Sequence, residues 1–190
     1  MLSERFTAAL TYATELHAKQ VRKGSGVPYI AHLLGVASIA LEYGASEDEA
    51  IAALLHDAVE DQGGAATREE IRRRFGDNVT AIVDGCTDAD TLPKPPWRQR
   101  KAAYIAHLPT ASSSVLLVSA ADKLYNARSI LKDYRVLGES LWERFQGGKD
   151  GTLWYYRTLV DTFKNIDSTA IAEELERVVL EVEALAFPQK

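Results

Sequence analysis

The sequence contains few cysteine, proline and glycine residues, and each of these low counts excludes a class of protein. Its 190 residues include one cysteine, Cys86, so neither an internal disulfide nor a zinc site built from several cysteines is available. Such low cysteine use is typical of a reducing compartment, and we expect a cytoplasmic location. Six prolines and twelve glycines, without any repeat, exclude a collagen-like or low-complexity chain.

Long hydrophobic runs and an excess of basic residues are also missing. The strongly apolar runs at residues 51–55 and 115–121 are far shorter than a membrane span. The first residues run directly into charged Glu4 and Arg5, so we expect no secretory leader. The formal net charge is −5, from 22 basic and 27 acidic residues, whereas a duplex nucleic acid needs a broad basic face. We therefore expect neither a membrane nor a nucleic-acid partner, and the oligomeric state stays open.

What is present is helical periodicity, nearly everywhere along the chain. With 46% hydrophobic and 26% charged residues, the composition is that of an ordinary globular protein. Strand-like alternation is hard to find, so we predict an all-α, compact single-domain bundle of about eight to nine helices over residues 1–190. The pattern indicates ten helical segments, some of them short, at residues 3–19, 29–42, 50–60, 67–75, 77–83, 97–108, 115–133, 137–145, 152–165 and 170–185.

Local signals mark the ends of several of these helices. Capping boxes at Ser46–Glu49 and at Thr67–Glu70 predict two helix starts, because serine or threonine followed by glutamate satisfies two terminal N–H groups. The pair Gly63-Gly64 predicts a helix end. Residues 21–28 and 88–96, rich in glycine or proline, predict loops.

One apolar helix carries an unexpected group of ionisable side chains. His56 and Asp57 follow the apolar run 51–55, and Glu60 and Asp61 come one turn later. On a continuous helix His56 and Glu60 share a face, as do Asp57 and Asp61. Buried ionisable groups persist when they are paired or bound to a metal, so the pattern favours a functional site. The alternative is a capped helix end with solvated acids and a histidine in the core.

Two other apolar helices each contain an unexplained polar residue. His32 precedes the run 33–37, and taken alone it fits a structural role better than a ligand role. Asp122 follows the uncharged run 115–121, and Asn126 and Ser129 lie one and two turns further along the same face. The simplest explanation is that these helices converge on a common cation.

Two imidazoles and two carboxylates, from His32, His56, Asp57 and Asp122, make a nitrogen and oxygen donor set. Such a set suits Mn²⁺, Fe²⁺ or Zn²⁺ and leaves coordination positions open for water. The acidic pair that follows one turn later is placed to accept or orient the proton of that water.

The order of these residues resembles that of a known superfamily. His32, then His56-Asp57, then Asp122 follow the H…HD…D order of the HD superfamily of metal-dependent phosphohydrolases. The surrounding strings are narrower and resemble the hydrolase domain of RelA/SpoT-type alarmone enzymes: HAKQVRK at 17–23, PYIAH at 28–32, ALLHDAVED at 53–61 and ADKLYNAR at 121–128. The resemblance covers about residues 5–135 and leaves a divergent helical part at about 136–190. The chain thus resembles a standalone small alarmone hydrolase.

The resemblance implies an HD-domain architecture and removal of the 3′-pyrophosphate from ppGpp or a related alarmone. It implies Mn²⁺ as the usual cofactor, with another divalent transition metal as the alternative. It also implies residue roles: metal ligands His32, His56, Asp57 and Asp122; a catalytic acidic pair, Glu60 and Asp61; a nucleotide-contacting loop with Arg22 and Lys23; and nucleoside-pocket positions Asn126 and Ser129. The preference for guanine or adenine stays open.

Two other functions remain compatible with the sequence. One is an HD phosphohydrolase of different nucleotide specificity, such as a nucleotidase, and the other is a catalytically silent nucleotide-binding sensor. Two groups of residues also have open roles. The basic residues Lys94, Arg98, Arg100 and Lys101 either reach a pyrophosphate or form a solvated face, and Tyr155 and Tyr156 either belong to the core or close the pocket.

Overall fold

The computed structural model describes residues 1–88, 93–167 and 169–187, and these residues form helices joined by turns. The described part holds no strand, only an isolated antiparallel bridge between Val21 and Pro28. Its α-helices are α1 (Glu4–Leu16), α2 (Ile30–Glu42), α3 (Glu47–Leu55), α4 (Ala58–Asp61), α5 (Ala65–Phe75), α6 (Asp77–Cys86), α7 (Trp97–His107), α8 (Ser113–Leu137), α9 (Gly148–Ile166) and α10 (Ala170–Ala186). Two 3₁₀ helices cover Leu108–Thr110 and Gly138–Arg144. The predicted all-α class is confirmed.

The chain divides into two compact units that do not follow chain order. The first contains Met1–Lys94 and Ala111–Ala121, and the second contains Pro95–Thr110 and Asp122–Lys190. Helix α8 contributes its first residues to one unit and the remainder to the other. The single domain expected over residues 1–190 stays a prediction.

The first unit is built around α3. All residues from Ala50 to Leu55 are buried, and α1, α2 and α6 pack against this helix. A helix that is apolar on all sides buries itself at the centre of its neighbours, which is what the run Ile51-Ala52-Ala53-Leu54-Leu55 does. Helices α4 and α5 continue the chain, and α5 packs on α6. The centre of this unit therefore leads directly to the His56-Asp57 pair.

The single helix predicted over residues 50–60 is wrong. Helix α3 begins at Glu47 and ends at Leu55, and α4 begins only at Ala58. His56 and Asp57 form the junction between them, with φ/ψ of −58°/−30° and −96°/−3°. The backbone angles of Asp57 lie in the sparsely populated bridge region, where residues of active sites often occur.

One of the two predicted capping boxes is confirmed and the other is wrong. Ser46 accepts from the Glu49 backbone N–H, while the Glu49 carboxylate accepts from the Ser46 backbone N–H. Helix α5, in contrast, begins at Ala65 with Gly64 as its N-cap, so Thr67 lies inside the first turn. The Thr67 hydroxyl donates to the Gln62 carbonyl at 2.6 Å and is not available as a cap.

The second unit is organised by amphipathic helices α9 and α10, which pack against each other. Buried Ile171, Leu175, Val178 and Val182 recur with helical spacing along α10. Helix α7 also packs on α9. The Trp97 ring lies against Gly147 and Gly151, and a Cβ added to Gly147 would lie 2.6 Å from that ring. The α-helix predicted over residues 137–145 is a 3₁₀ helix from Gly138 to Arg144.

No helix within the described ranges is both long and apolar enough to cross a membrane.

Candidate metal centre

Three ligand-type side chains of the first unit converge on one point. The Nε2 atoms of His32 and His56 lie 3.3 Å apart. The Oδ2 atom of Asp57 lies 3.3 Å from the first and 3.1 Å from the second. His32 is 1% and His56 3% exposed, so two of the three donor groups are withdrawn from solvent.

His56 and Asp57 are adjacent in the sequence, and their side chains approach the same point from the junction between α3 and α4. On an ideal α-helix, side chains of consecutive residues diverge by about 100°, because the helix has 3.6 residues per turn. Both residues have right-handed helical backbone angles, with Asp57 displaced toward φ/ψ of −96°/−3°. His56 Nε2 and Asp57 Oδ2 nevertheless lie 3.1 Å apart.

The local structure fixes the orientation of both imidazoles. His32 is the third residue of α2, and its ring packs edge-on against the rings of Tyr29 and His56. His56 Nδ1 lies 2.8 Å from the Ala53 carbonyl, which can only accept a hydrogen bond. This contact places a proton on Nδ1, so in the neutral imidazole Nε2 carries the lone pair that a metal would bind.

The distances among the three donors fit a divalent cation. Ligand atoms about 2.1 Å from an ion and separated by roughly 90–109° lie about 3.0–3.4 Å from one another. The three observed separations fall within this interval, and all three atoms lie within 4.8 Å of one another. Imidazole nitrogen and carboxylate oxygen together suit borderline transition metals better than Ca²⁺, which prefers oxygen ligands only.

Asp57 is held as a carboxylate by its surroundings. Burial by itself would raise its pKa, but the positive charge that His56 carries in its protonated form and hydrogen bonds from His32 and His56 outweigh that cost, so the pKa of Asp57 lies well below its ordinary value. The hydroxyl of Tyr29 also donates to Oδ2 at 2.6 Å. A carboxylate in its ionised form is the form that a metal ion requires.

The acidic pair Glu60 and Asp61 lies on the short helix α4, directly after the junction. Glu60 accepts from Lys94 Nζ at 2.7 Å and from the Asp88 backbone N–H at 3.3 Å. Asp61 accepts from Gln20 Nε2 at 2.8 Å. Desolvation first, and then the negative charge of Asp57, raise the pKa of Asp61 above its ordinary value, although the hydrogen bond from Gln20 lowers it. The two acids therefore occupy different electrostatic environments.

The loop with Arg22 and Lys23 is a tight turn rather than an extended segment. The Arg22 backbone N–H donates to the Val27 carbonyl at 2.8 Å, and the Gly26 N–H donates back to the Arg22 carbonyl at 3.1 Å. The Arg22 guanidinium lies 5.9 Å from the centre of the Tyr29 ring. Tyr29 thus touches this loop on one side and the carboxylate of Asp57 on the other.

Asp122, Asn126 and Ser129 lie on α8 in the second unit. Asp122 is 7% exposed and accepts from Lys123 Nζ and from Asn126 Nδ2, each at 2.6 Å. The Ser129 hydroxyl donates to the Tyr125 carbonyl at 3.0 Å, one turn back along the helix. Asp122 is a buried carboxylate with two donors, which agrees with the sequence expectation that it is not an ordinary surface residue.

The other basic residues have specific contacts in the described structure. The Arg98 guanidinium lies 3.2 Å from the centre of the Trp154 ring, and Lys101 Nζ lies 5.0 Å from that of Tyr155. Arg100 Nε donates to the Pro95 carbonyl at 3.2 Å. Tyr155 and Tyr156 are 5% and 9% exposed, which matches the core position that the sequence left as one alternative.

Sequence reasoning missed two residues that contact this centre, Gln20 and Tyr29. Both lie within strings that resemble those of the alarmone hydrolases, but no helical periodicity links them to Asp61 or Asp57. The one signal in the sequence was that Gln20 and Tyr29 flank the glycine-rich loop. In the structure this loop brings the two residues together, and the Tyr29 N–H donates to the Gln20 carbonyl at 2.9 Å.

Comparisons with known proteins identify relatives of this chain. A family model for the HD domain matches residues 9–152. The guanosine-3′,5′-bis(diphosphate) 3′-pyrophosphohydrolase MESH1 of Xenopus tropicalis is 46% identical over 125 residues, which cover 64% of this chain and 67% of that protein. The human protein of the same name is 40% identical over 125 residues, with the same two shares. A guanosine-3′,5′-bis(diphosphate) 3′-pyrophosphohydrolase of Aquifex aeolicus is 36% identical over 131 residues, 67% of this chain but 18% of that protein.

Solved structures extend the similarity over nearly the whole chain. A structure described as a metazoan orthologue of SpoT that hydrolyses ppGpp and plays a role in starvation responses superposes with a TM-score of 0.79 and 27% identity. That match covers 95% of this chain and 97% of the other. A Listeria monocytogenes protein superposes with a TM-score of 0.69 and 33% identity, covering 78% of this chain and 96% of the other.

Proposed function

The chain belongs to the HD-domain family, and on that basis we propose that it is a metal-dependent hydrolase that removes the 3′-pyrophosphate from guanosine 3′,5′-bis(diphosphate), ppGpp. The observation that carries the proposal is the convergence of His32, His56 and Asp57, whose donor atoms lie 3.1–3.3 Å apart in a buried setting. Relatives with 40–46% identity are named for this same activity.

We assign Mn²⁺ as the cofactor, with another divalent transition metal as the alternative, because two imidazoles and carboxylates form a borderline donor set. When bound, such an ion lowers the pKa of a coordinated water to about 7 and polarises a phosphoryl oxygen. His32, His56 and Asp57 would hold it, and Asp122 is proposed as the fourth ligand. The support for Asp122 is its burial and its place in the H…HD…D order.

The reaction requires two proton movements that this chain's acids can serve. Hydrolysis breaks the bond between the ribose 3′ oxygen and the first phosphorus, and the oxygen of water ends on the released pyrophosphate. Water must give up a proton, and the 3′ oxygen must receive one. We assign these tasks to Glu60 and Asp61, because both lie one short helix after the metal ligands and their environments differ.

Substrate binding is assigned to the glycine-rich loop and to α8. Arg22 and Lys23 supply positive charge to a chain whose net charge is −5, and a guanidinium also stacks on a purine. Asn126 and Ser129 are proposed to line the nucleoside pocket. The partner is therefore a small anionic nucleotide, and we propose a cytoplasmic location, which the single cysteine favours.

A substrate and metal screen tests this function. Purified protein is incubated with Mn²⁺, Mg²⁺, Zn²⁺ or no metal, together with ppGpp, pppGpp, their adenine analogues and deoxynucleoside monophosphates. We expect turnover of the nucleotides that carry a 3′-diphosphate, and we expect it to be fastest with Mn²⁺. Turnover of deoxynucleoside monophosphates alone would establish a nucleotidase, and binding of ppGpp without turnover under every metal would establish a sensor.

A further inference from the structure

A chain of hydrogen-bonded side chains joins the end of α1 to the acidic pair. Gln20 Nε2 donates to Asp61 Oδ2 at 2.8 Å, although the two residues are 41 positions apart in the sequence. At its other end, Gln20 Oε1 accepts from Gln62 Nε2 and lies 2.6 Å from His17 Nδ1. Both ends of this one carboxamide are therefore used.

The chemistry of the partners fixes the direction of each hydrogen bond. An ionised carboxylate only accepts, so the NH₂ group of Gln20 must face Asp61. Its oxygen then faces His17, and His17 Nδ1 must carry the proton that it donates. His17 Nε2 is left as an acceptor, and it has no hydrogen-bond partner among the described residues. The cluster therefore has a single consistent arrangement of donors and acceptors.

Gln20 and the acid it contacts lie in different local structures. The His17 ring is 2% exposed and stacks on Tyr29, with ring centres 5.2 Å apart and planes 14° from parallel. The Gln20 carbonyl accepts from the Tyr29 N–H at 2.9 Å, which fixes its backbone. Asp61, in contrast, is the last residue of the four-residue helix α4 and precedes the Gly63-Gly64 turn.

Gln20 also connects the acid to the nucleotide loop. It lies two positions before Arg22, and its backbone closes the base of the tight turn that contains Arg22 and Lys23. A movement of that turn would therefore be passed to the carboxylate of Asp61 through one side chain. Gln62, the neighbour of Asp61, contacts the same carboxamide and strengthens this connection.

We propose that Gln20, held in place by His17, is a positioning residue that orients the Asp61 carboxylate for proton transfer. The inference rests on the proposed function, because it assigns Gln20 a part in the reaction at that same site. Gln20 itself exchanges no proton with substrate. Its contribution is to keep the reacting oxygen of Asp61 in one direction.

The kinetic test compares Gln20→Met and Gln20→Glu with the unaltered protein. Methionine keeps the length of the side chain but makes neither hydrogen bond, and glutamate keeps an acceptor for His17 but places a second carboxylate against Asp61. We expect kcat to fall about 10- to 100-fold in both, the usual loss for residues that orient a reacting group. KM and bound metal should stay unchanged. The control is Glu15→Gln, an exposed change in the last turn of α1, which should leave kcat unchanged.

Three results, two kinetic and one thermal, would overturn the inference. These are an unchanged kcat in Gln20→Met, a loss explained entirely by a lower melting temperature, and a raised KM with unchanged kcat. Failure of the proposed function is distinguishable, because it appears as absence of ppGpp turnover in the unaltered protein. In that case the Gln20 variants are compared with the unaltered protein on the nucleotide that the screen shows to be hydrolysed. If the unaltered protein hydrolyses none of the screened nucleotides, both proposals are overturned.

A second readout does not depend on turnover. Nitrogen-15 NMR of the imidazoles reports which nitrogen of His17 carries the proton. We expect His17 to be protonated at Nδ1 and bare at Nε2 in the unaltered protein, and to lose this single tautomer in Gln20→Met. A His17 protonated at Nε2 in the unaltered protein would contradict the hydrogen-bond arrangement on which the inference depends.

Discussion

The Nε2 atoms of His32 and His56 lie 3.3 Å apart, although the two residues are 24 positions apart in the sequence. Two protonated imidazoles at this distance in a buried setting would repel each other strongly. The Oδ2 atom of Asp57 lies 3.1 Å from one of these nitrogens and 3.3 Å from the other, so its negative charge counters that repulsion. A cation bound among the three donor atoms would be coordinated by two neutral imidazoles and one carboxylate.

Removing one imidazole should empty the centre. We expect His56→Ala to lose both bound metal and turnover, because the loss of one of the four proposed ligands weakens the binding of the ion. Metal content measured by mass spectrometry after dialysis checks the first effect, and the rate of ppGpp hydrolysis checks the second. The matched control is His107→Ala, because His107 is exposed at the end of α7. Retention of a full metal equivalent in His56→Ala would refute the ligand assignment.

Asp122 should contribute separately to stability and to catalysis. Burial would lower the pKa of Lys123, but the charge of Asp122 outweighs it, so the pKa of Lys123 lies well above its ordinary value and the ammonium stays charged. Asp122→Asn leaves this cation without its carboxylate partner, and we expect the free energy of unfolding to fall by about 3–5 kcal/mol. Urea denaturation measures the loss.

A double variant separates the two roles of Asp122. Replacing Lys123 by Met together with Asp122→Asn removes the uncompensated charge, so stability should return while turnover should not. If the double variant hydrolysed ppGpp at the rate of the unaltered protein, Asp122 would be excluded as a ligand.

Helix positions could be predicted from the sequence because burial follows apolar spacing. The run Ile51-Ala52-Ala53-Leu54-Leu55 predicts a buried helix, and α3 is buried over these residues. The capping box at Ser46 needs only local chemistry and is also confirmed. The fold class therefore follows from periodicity and end signals alone.

The details of the site could not be predicted in the same way. Periodicity assumes a continuous helix, so it placed His56 and Glu60 on one face and missed the break at Asp57. The contact of Gln20 with Asp61 joins two segments through tertiary folding, for which spacing has no signal. The residue types of the donor set are visible in the sequence. The short distances between their donor atoms depend on the packing of α2 on α3, which spacing alone does not give.

The turn after α4 should tolerate only glycine at its first position. Gly63 has φ of +125°, and an added Cβ would lie 2.7 Å from the Thr67 hydroxyl oxygen. We expect Gly63→Ala to reduce the free energy of unfolding by about 1–3 kcal/mol, because it combines backbone strain with a steric clash. In a Thr67→Ala background the same change should cost less, since the clashing oxygen is gone. Equal losses in both backgrounds would show that the clash plays no part.

Acid stability should depend on Glu70, which accepts from Arg73 and Arg74 on α5. These hydrogen bonds lower its pKa from 4.5 to about 2. A lowered pKa stabilises the fold at pH values above the unfolded pKa, and this stabilisation disappears as the pH falls from 4.5 toward 2. Melting temperatures of the unaltered protein and Glu70→Gln should therefore differ at pH 6 and converge toward pH 2. A difference that is constant over this range would contradict the prediction.

Phosphorus-31 NMR of the reaction products tests the central claim most directly. Metal-loaded protein is incubated with ppGpp, and His56→Ala is treated in the same way. The account predicts that inorganic pyrophosphate and GDP with an intact 5′-diphosphate accumulate with the unaltered protein, and that neither accumulates with the variant. Release of orthophosphate in place of pyrophosphate, or equal product formation by the variant, would contradict it.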